Sequence, residues 1–282
     1  MTSISATVEP SYPRIGQTGG VAEVHTDDAK LYCEVDGAGA PVTVVAHGLT
    51  NNRNELAAFT PTLPGTTVRF DFRGHGKTVT APDARFRFED FARDVDAVAE
   101  AYGARAAMGT SLGAGALGNL VCRVPDRFER MVWLLPAGLD VPFPLRARYH
   151  ELAGGLEGKS PAEALEAIMS DPAKLAQRIE TPWRWEIERV LWEHDDFDAL
   201  ARAIHGVIDD WPIPDRELLR AVSIPTLIVG MDGDEVHPVE LARLLADLLP
   251  DAELVILHDQ ADLFRRIPEL VARVSSFLLG EG

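Results

Sequence analysis

Gly109-Thr110-Ser111-Leu112-Gly113 is the most informative segment of this 282-residue chain. It matches the pattern Gly-x-Ser-x-Gly and lies between a weak strand predicted for 104–109 and a helix predicted for 112–124. Flanking glycines permit a strained strand-to-helix turn at the serine because they carry no side chains. The following helix points its N-terminus at Ser111, so the amide of Leu112 can stabilise a developing oxyanion. Without further context, the same pattern also fits a glycine-rich helix entry with no catalytic role.

Strands and helices alternate on both sides of this segment. Upstream, the β-branched run 41–47 predicts a strand buried on both faces, and apolar residues three and four apart predict an amphipathic helix over 88–102. Downstream, strands are predicted over 225–229 and 254–257. Helices are predicted to follow them over 238–249 and 268–279. This alternation predicts an α/β fold whose mostly parallel sheet carries helices on both faces.

Residues 137–215 interrupt the alternation with long helix-period stretches. We therefore predict an inserted helical cap over 137–215, between a first core part over 1–136 and a second over 216–282. Four of the five tryptophans lie in this insertion. Trp183, Trp185 and Trp192 fit either the core of the cap or an aromatic pocket wall, and a wall of this kind would favour an apolar or aromatic substrate.

The composition excludes several classes of function. Lys plus Arg total 27 and Asp plus Glu total 44, so the net charge is −17, which disfavours nucleic acid and anionic membranes as partners. Cys33 and Cys122 are expected to be reduced core thiols, and no zinc-ligand spacing or phosphate loop predicts a metal or cofactor. No apolar run reaches about 18 residues. The polar segment 1–14 does not resemble a signal peptide, and a cytoplasmic protein is expected.

Three ordered motifs resemble those of the α/β-hydrolase fold family. They are His47-Gly48 at a strand end, Asp71-Phe72-Arg73-Gly74-His75-Gly76 after the next strand, and the Ser111 segment. The resemblance covers about residues 20–280 and implies a mostly parallel eight-stranded sheet with a cap inserted after the sixth strand. It also implies that Ser111 is the nucleophile and that the amide of Leu49 is the second oxyanion donor. His47 and His75 resemble structural histidines that hold loops.

A serine nucleophile needs a base, and the base needs an orienting acid. The family pattern Gly-x-x-Asp-x-x-x-Pro, counted back from Pro238, implies Asp234 as the acid. Asp232 is a rival, because Gly230 lies one residue further away than usual, and Asp140 is a less favoured one. An Asp-Gly-Asp turn before a helix is the alternative without function.

The base is where the sequence departs from the family. The family histidine precedes a Pro-Glu pair by about seven residues; here the pair is Pro268-Glu269, and the corresponding position holds Ala261. Only two histidines follow the acid: His237, before the next helix, and His258, at a strand end. We predict that His258 serves as base from a displaced loop. The alternatives are that the natural protein has lost its base, or that position 261 carries an introduced change.

These residues predict a cofactor-free serine hydrolase that cleaves a small ester or lactone through an acyl-enzyme. The alternative is a homologue with impaired or non-hydrolytic chemistry, because Ala261 occupies the family's histidine position. Small-molecule binding, cyclisation and perhydrolysis all belong to that alternative.

Overall fold

The computed structural model describes residues 20–57, 59–141 and 143–281. The arm over 1–19, which the sequence marks as polar and broken by prolines, lies outside the described residues. One open sheet of nine strands organises the described part of the chain. The strands are β1 (Gly20–His25), β2 (Ala29–Gly37), β3 (Val42–Ala46), β4 (Thr66–Phe70), β5 (Val79–Thr80), β6 (Ala106–Thr110), β7 (Arg130–Leu134), β8 (Thr226–Met231) and β9 (Ala252–Leu257).

The sheet confirms the predicted α/β architecture, but it has nine strands where eight were expected, because the short β5 adds a pairing to β2. Its strand order is β1-β2-β4-β3-β6-β7-β8-β9, and the two-residue β5 pairs with β2 beside this path. The pairs from β4–β3 through to β8–β9 are parallel, whereas β1–β2 and β2–β4 are antiparallel. Because the carboxyl ends of parallel strands share one edge of a sheet, the loops after β3, β6, β7 and β8 meet there.

Nine α-helices lie in the described part of the chain. They are α1 (Phe88–Tyr102), α2 (Leu112–Val121), α3 (Arg146–Leu156), α4 (Pro161–Met169), α5 (Pro172–Glu180), α6 (Pro182–Leu191), α7 (Phe197–Ile208), α8 (Val239–Leu248) and α9 (Gln260–Leu279). Helices α3 to α7 fill the chain between β7 and a short 3₁₀ helix at Arg216–Ala221 that leads into β8.

The hydrophobic core lies on both faces of the sheet. Val44 and Ala46 of β3 face the cluster that includes α1 and α2, whereas Val45 faces the cluster that includes the end of α9. This alternation follows from the two-residue period of a strand, and it explains why the whole of β3 is apolar apart from Thr43. A separate cluster packs α3, α4 and α7 together.

The last helix begins earlier than the sequence indicates. The predicted start at 268 is wrong, because α9 begins at Gln260 and contains Pro268 in its interior. Asp259 caps the helix, since its side chain accepts a hydrogen bond from the backbone N–H of Asp262 at 2.7 Å. A proline is more often found in the first turn of a helix, which is why the sequence placed the start there.

Candidate active site

Ser111 lies at the sharp turn between β6 and α2. Its backbone φ is +50° and its ψ is −105°, a region that residues with a side chain rarely adopt. The Ser111 N–H donates to the carbonyl of Leu134 at 3.0 Å, and the Ser111 carbonyl accepts from Gly115 N–H at 3.0 Å. These bonds hold the strained turn in place, as a nucleophile elbow requires.

The two glycines of the motif are required by close backbone approach. A Cβ atom at position 109 would lie 2.5 Å from the backbone carbon of Gly113, and one at position 113 would lie 2.3 Å from the carbonyl oxygen of Ala46. Both distances are too short for carbon contacts. The end of β6 can therefore approach the start of α2 only when position 109 lacks a side chain, and α2 can pack against β3 only when position 113 lacks one.

Three side chains form a continuous hydrogen-bonded chain at this turn. Ser111 Oγ lies 3.0 Å from His237 Nε2, and His237 Nδ1 lies 2.9 Å from Asp234 Oδ2. Both His237 and Asp234 lie on the loop between β8 and α8. The parallel topology brings this loop to the serine, because β6 and β8 flank β7 and their carboxyl ends share one edge.

The hydrogen bonds assign the proton on the histidine ring. The ionised carboxylate of Asp234 can only accept, so His237 Nδ1 donates to it and Nε2 keeps a lone pair for the serine hydroxyl. The hydrogen bond from His237 holds the pKa of Asp234 below its usual range, and the backbone N–H groups of Val236 and His237 act in the same direction. The arrangement suits proton transfer from Ser111 to His237 with Asp234 as the orienting group.

His258, the base expected from sequence, is not brought to the serine. Its side chain is 82% exposed, and its nearest ionic neighbour is Asp232, at 3.9 Å. The displaced loop that was to carry it does not form, because the chain is helical from Gln260 onward and Asp262 accepts a hydrogen bond from the His258 backbone. The candidate base is therefore His237 instead of His258.

Ala261 also lies away from the chemistry. It is exposed in the first turn of α9. The family spacing pointed to this position because it assumes a loop between the last strand and the last helix. The signal that could have identified His237 was its place three residues after Asp234, within reach of the acid on the same loop.

The rival acids have other partners. Asp140 forms two hydrogen bonds with the guanidinium of Arg216, at 2.5 and 2.6 Å, and these hold the pKa of Asp140 low. The carboxylate of Asp232 faces His258 instead of His237. Asp234 is the only one of the three acids with a hydrogen bond to His237 in the described residues.

Two backbone amides lie free beside the serine. Leu49 and Leu112 both line the pocket that contains Ser111. Within the described chain, neither of their N–H groups donates to a protein acceptor. The neighbouring Gly113 N–H is already bonded to the His47 carbonyl at 3.1 Å, so the loop after β3 is tied to the start of α2. The arrangement leaves two donors for an oxyanion.

Three buried histidines connect the loops around the site. His47 donates through Nδ1 to the Gly48 carbonyl at 2.8 Å and accepts from Phe72 N–H at 3.0 Å. His75 donates to the Arg73 carbonyl at 2.8 Å. His47 and His75 thus form hydrogen bonds to the backbone of the loops, as the resemblance implied. Burial lowers the pKa of each to about 3.

The third histidine, His194, joins the inserted helices to these loops. It lies between α6 and α7, accepts from Gly76 N–H at 2.8 Å and donates to the Thr50 carbonyl at 3.1 Å. Burial lowers its pKa to about 3 as well. No sequence pattern indicated this role, because His194 is separated from Thr50 by 144 positions.

The pocket beside Ser111 is almost entirely apolar. Its aromatic wall consists of Phe88, Phe143 and Tyr149, and no tryptophan takes part in it. Of the three tryptophans considered for the wall, Trp192 packs against the cluster of the inserted helices and Trp183 is exposed. Trp185 lies under the guanidinium of Arg178. The pocket-wall interpretation of these tryptophans is therefore wrong.

No cluster of three or more His, Cys, Asp or Glu side chains within the described segments is arranged to hold a metal ion. No helix in those segments combines the length and the apolarity that crossing a bilayer needs.

Comparison with known proteins identifies relatives along most of the chain. A family model described as alpha/beta hydrolase fold matches residues 41–158. Rhodomycin D methylesterase DauP of Streptomyces sp. (strain C5) is 27% identical over 270 residues, covering 83% of this chain and 89% of that protein. A monoacylglycerol lipase of Mycolicibacterium smegmatis is 29% identical over 253 residues, covering 85% of this chain and 83% of that protein.

A solved structure shares the same fold. A hydrolase from Pseudomonas aeruginosa PA01 superposes with a TM-score of 0.74 at 24% identity, over 93% of this chain and 99% of that one. The family model, the relatives and the sheet topology agree with one another. The chain has the α/β-hydrolase fold, and its residues 41–158 are similar to the family that carries this description.

Proposed function

We propose that this protein is a serine hydrolase that cleaves small neutral esters or lactones through an acyl-enzyme. The observation that carries the proposal is the hydrogen-bonded chain Ser111–His237–Asp234 beside an apolar pocket. The relatives named as a methylesterase and a lipase support ester cleavage.

In the proposed mechanism, Ser111 Oγ attacks the substrate carbonyl carbon while its proton passes to His237 Nε2. The carbonyl oxygen becomes an oxyanion, which the free N–H groups of Leu49 and Leu112 stabilise. His237 then gives the proton to the leaving alkoxide, and the ester bond breaks. Water attacks the acyl-enzyme by the same route, with His237 taking a proton from the water and returning it to Ser111.

The pocket favours a neutral substrate with an apolar acyl or alcohol group. Its one carboxylate is that of Asp210, which accepts a hydrogen bond from the Phe88 N–H at 2.9 Å and caps α1. A carboxylate on the substrate would meet this negative charge and the overall charge of −17. We therefore expect neutral p-nitrophenyl esters to be cleaved faster than esters that carry a carboxylate.

The inserted helices supply the specificity in this proposal. Tyr149 of α3 and Val207 and Ile208 of α7 line the pocket opposite Ser111. The segment 137–215 would act as a cap that shields the acyl-enzyme from bulk water and limits the size of the substrate.

The direct test is covalent labelling of the serine. A fluorophosphonate probe should label Ser111, as mapped by mass spectrometry, and Ser111→Ala should abolish both the label and p-nitrophenyl ester hydrolysis. The exposed serine Ser223 lies outside the pocket, so Ser223→Ala is the matched control and should retain both. A labelled protein that hydrolyses no ester would favour the impaired or non-hydrolytic alternative. Hydrolysis that survives in Ser111→Ala would overturn the proposal.

A further inference from the structure

A buried carboxylate behind the loop that follows β3 has no part in the mechanism above. Glu55 is partly buried, and its Oε2 accepts a hydrogen bond from the Gly48 N–H at 2.6 Å. Its Oε1 accepts from Asn51 Nδ2 at 2.6 Å. The two bonded residues, Gly48 and Asn51, lie before and after Leu49 in the chain, and the Leu49 N–H is one of the two proposed oxyanion donors.

The contacts of Glu55 indicate that its carboxyl group is ionised. Both oxygens face N–H donors, and a proton on either oxygen would have no acceptor in these two contacts. Distances of this length are typical of hydrogen bonds to a charged acceptor. Burial has the largest effect and leaves the pKa of Glu55 above its usual value, while the bonds from Gly48 and Asn51 and the nearby His237 act in the opposite direction and favour the charged form.

Gly48 allows the carboxylate and the serine to approach the same peptide. A Cβ atom at position 48 would lie 3.2 Å from Glu55 Oε1 and 3.4 Å from Ser111 Cβ. Both side chains therefore lie next to the position that a side chain at residue 48 would occupy, close enough that a larger residue there would press on both. This places the negative charge of Glu55 near the reacting groups without direct contact with the substrate pocket.

We propose that Glu55 is a positioning residue for the hydrolase, which orients the Gly48–Leu49 peptide and supplies a second anion that stabilises the His237 imidazolium. Asp234 bonds the ring directly, whereas Glu55 acts on it through space and on the oxyanion donor through Gly48. The imidazolium forms when Ser111 loses its proton, so both effects act in the transition state and not in substrate binding. The proposal rests on the proposed serine hydrolase function.

Glu55→Gln tests the proposal while keeping the size of the side chain. The glutamine side chain carries no charge, and its NH₂ group would face either the Gly48 N–H or the Asn51 amide, which are both hydrogen-bond donors. We expect kcat for p-nitrophenyl acetate to fall about 10- to 100-fold with KM changed less than about 3-fold. The acid limb of the pH–rate profile should move to lower pH, because the imidazolium loses a nearby anion.

Glu34→Gln is the matched control. Glu34 is also partly buried and pairs with Arg53 of the same loop at 2.6 Å, but it contacts neither Gly48 nor the site. This variant should keep the wild-type kcat and acid limb.

If Glu55→Gln does not fold, Asn51→Ala removes one support of the carboxylate and keeps the charge. It should lower kcat by a smaller factor and leave the acid limb in place.

Two failures can be told apart by labelling. If the fluorophosphonate does not label Ser111 in the wild-type protein, the hydrolase proposal itself fails. If Ser111 is labelled and Glu55→Gln matches Glu34→Gln in kcat and in its acid limb, only the role of Glu55 is rejected. A fall in kcat without movement of the acid limb would reject the electrostatic part and keep the orienting part.

Discussion

Asp234 and His237 lie three residues apart on one loop, and the acid holds the histidine by both its ring and its backbone. Asp234 Oδ2 accepts from His237 Nδ1 at 2.9 Å, and Oδ1 accepts from the backbone N–H of the same histidine at 3.1 Å. A turn of this kind fixes acid and base together. In the proposed mechanism the chain after β9 supplies no acid or base, and helix α9 begins directly at Gln260.

The first prediction separates the three candidate positions for the base. His237→Ala should lower kcat/KM for p-nitrophenyl acetate by about 10⁴-fold or more, because the serine loses its proton acceptor. His258→Ala should change it less than about 2-fold, since that side chain is exposed and does not contact Ser111.

Ala261→His tests the family position in the same assay. The residue is exposed on α9, so a histidine there should not raise activity in the His237→Ala background. A large gain from Ala261→His would show that the loop of the family can re-form and that His237 is not the native base.

The second prediction concerns the acid. Asp234→Asn should reduce kcat by about 10⁴-fold, because the amide can donate to His237 Nδ1 and so favour the wrong ring tautomer. The comparison variant is Asp232→Asn. The carboxylate of Asp232 faces His258 and not His237, so this variant should keep nearly full activity. Equal losses in the two variants would contradict the assignment of Asp234.

The third prediction is a loss of stability in acid that arises from the buried histidines His47, His75 and His194. Their folded pKa values are lowered to about 3 from an ordinary 6.5. Between these values the unfolded chain binds more protons, so the free energy of unfolding is highest above pH 6.5 and falls as the pH drops. Each histidine contributes up to about 1.4 kcal/mol per pH unit.

Urea unfolding at pH 7, 6 and 5 measures the slope of the free energy of unfolding against pH. His75→Gln should make the slope shallower, because one of the three groups no longer titrates. His25→Gln removes a half-exposed histidine of β1 and should leave the slope unchanged. A pH dependence that is the same in His75→Gln as in the wild type would exclude His75 as one of its sources.

The fourth prediction compares two glycines. Gly113→Ala should destabilise the protein by roughly 1–3 kcal/mol and abolish most activity, because its Cβ would lie 2.3 Å from the Ala46 carbonyl oxygen. Gly154→Ala, in helix α3, has no atom within 4 Å of the new Cβ and should stabilise by about 0.5–1 kcal/mol. Thermal unfolding measures both, and wild-type stability in Gly113→Ala would contradict the close packing of the turn against β3.

The sequence indicated the sheet and the serine turn because both depend on local patterns. A buried parallel strand such as β3 needs an unbroken apolar run, and a strained turn at Ser111 needs glycine on both sides. Local patterns were misleading at Pro268, because a proline is typical of the first turn of a helix and this one lies in the interior of α9. They left Trp183, Trp185 and Trp192 open as either cap core or pocket wall, and Phe88, Phe143 and Tyr149 form the wall instead.

Short-range patterns in this sequence indicated the fold class and the candidate nucleophile, and the family pattern implied Asp234 as the candidate acid with Asp232 and Asp140 as rivals. The partner of the serine could not be assigned in this way. Ser111 and His237 are 126 positions apart, and their contact exists because β6, β7 and β8 lie side by side and end at one edge of the sheet. Spacing along a chain records which residues share a turn, whereas contacts across a sheet depend on strand order and register, which only folding establishes.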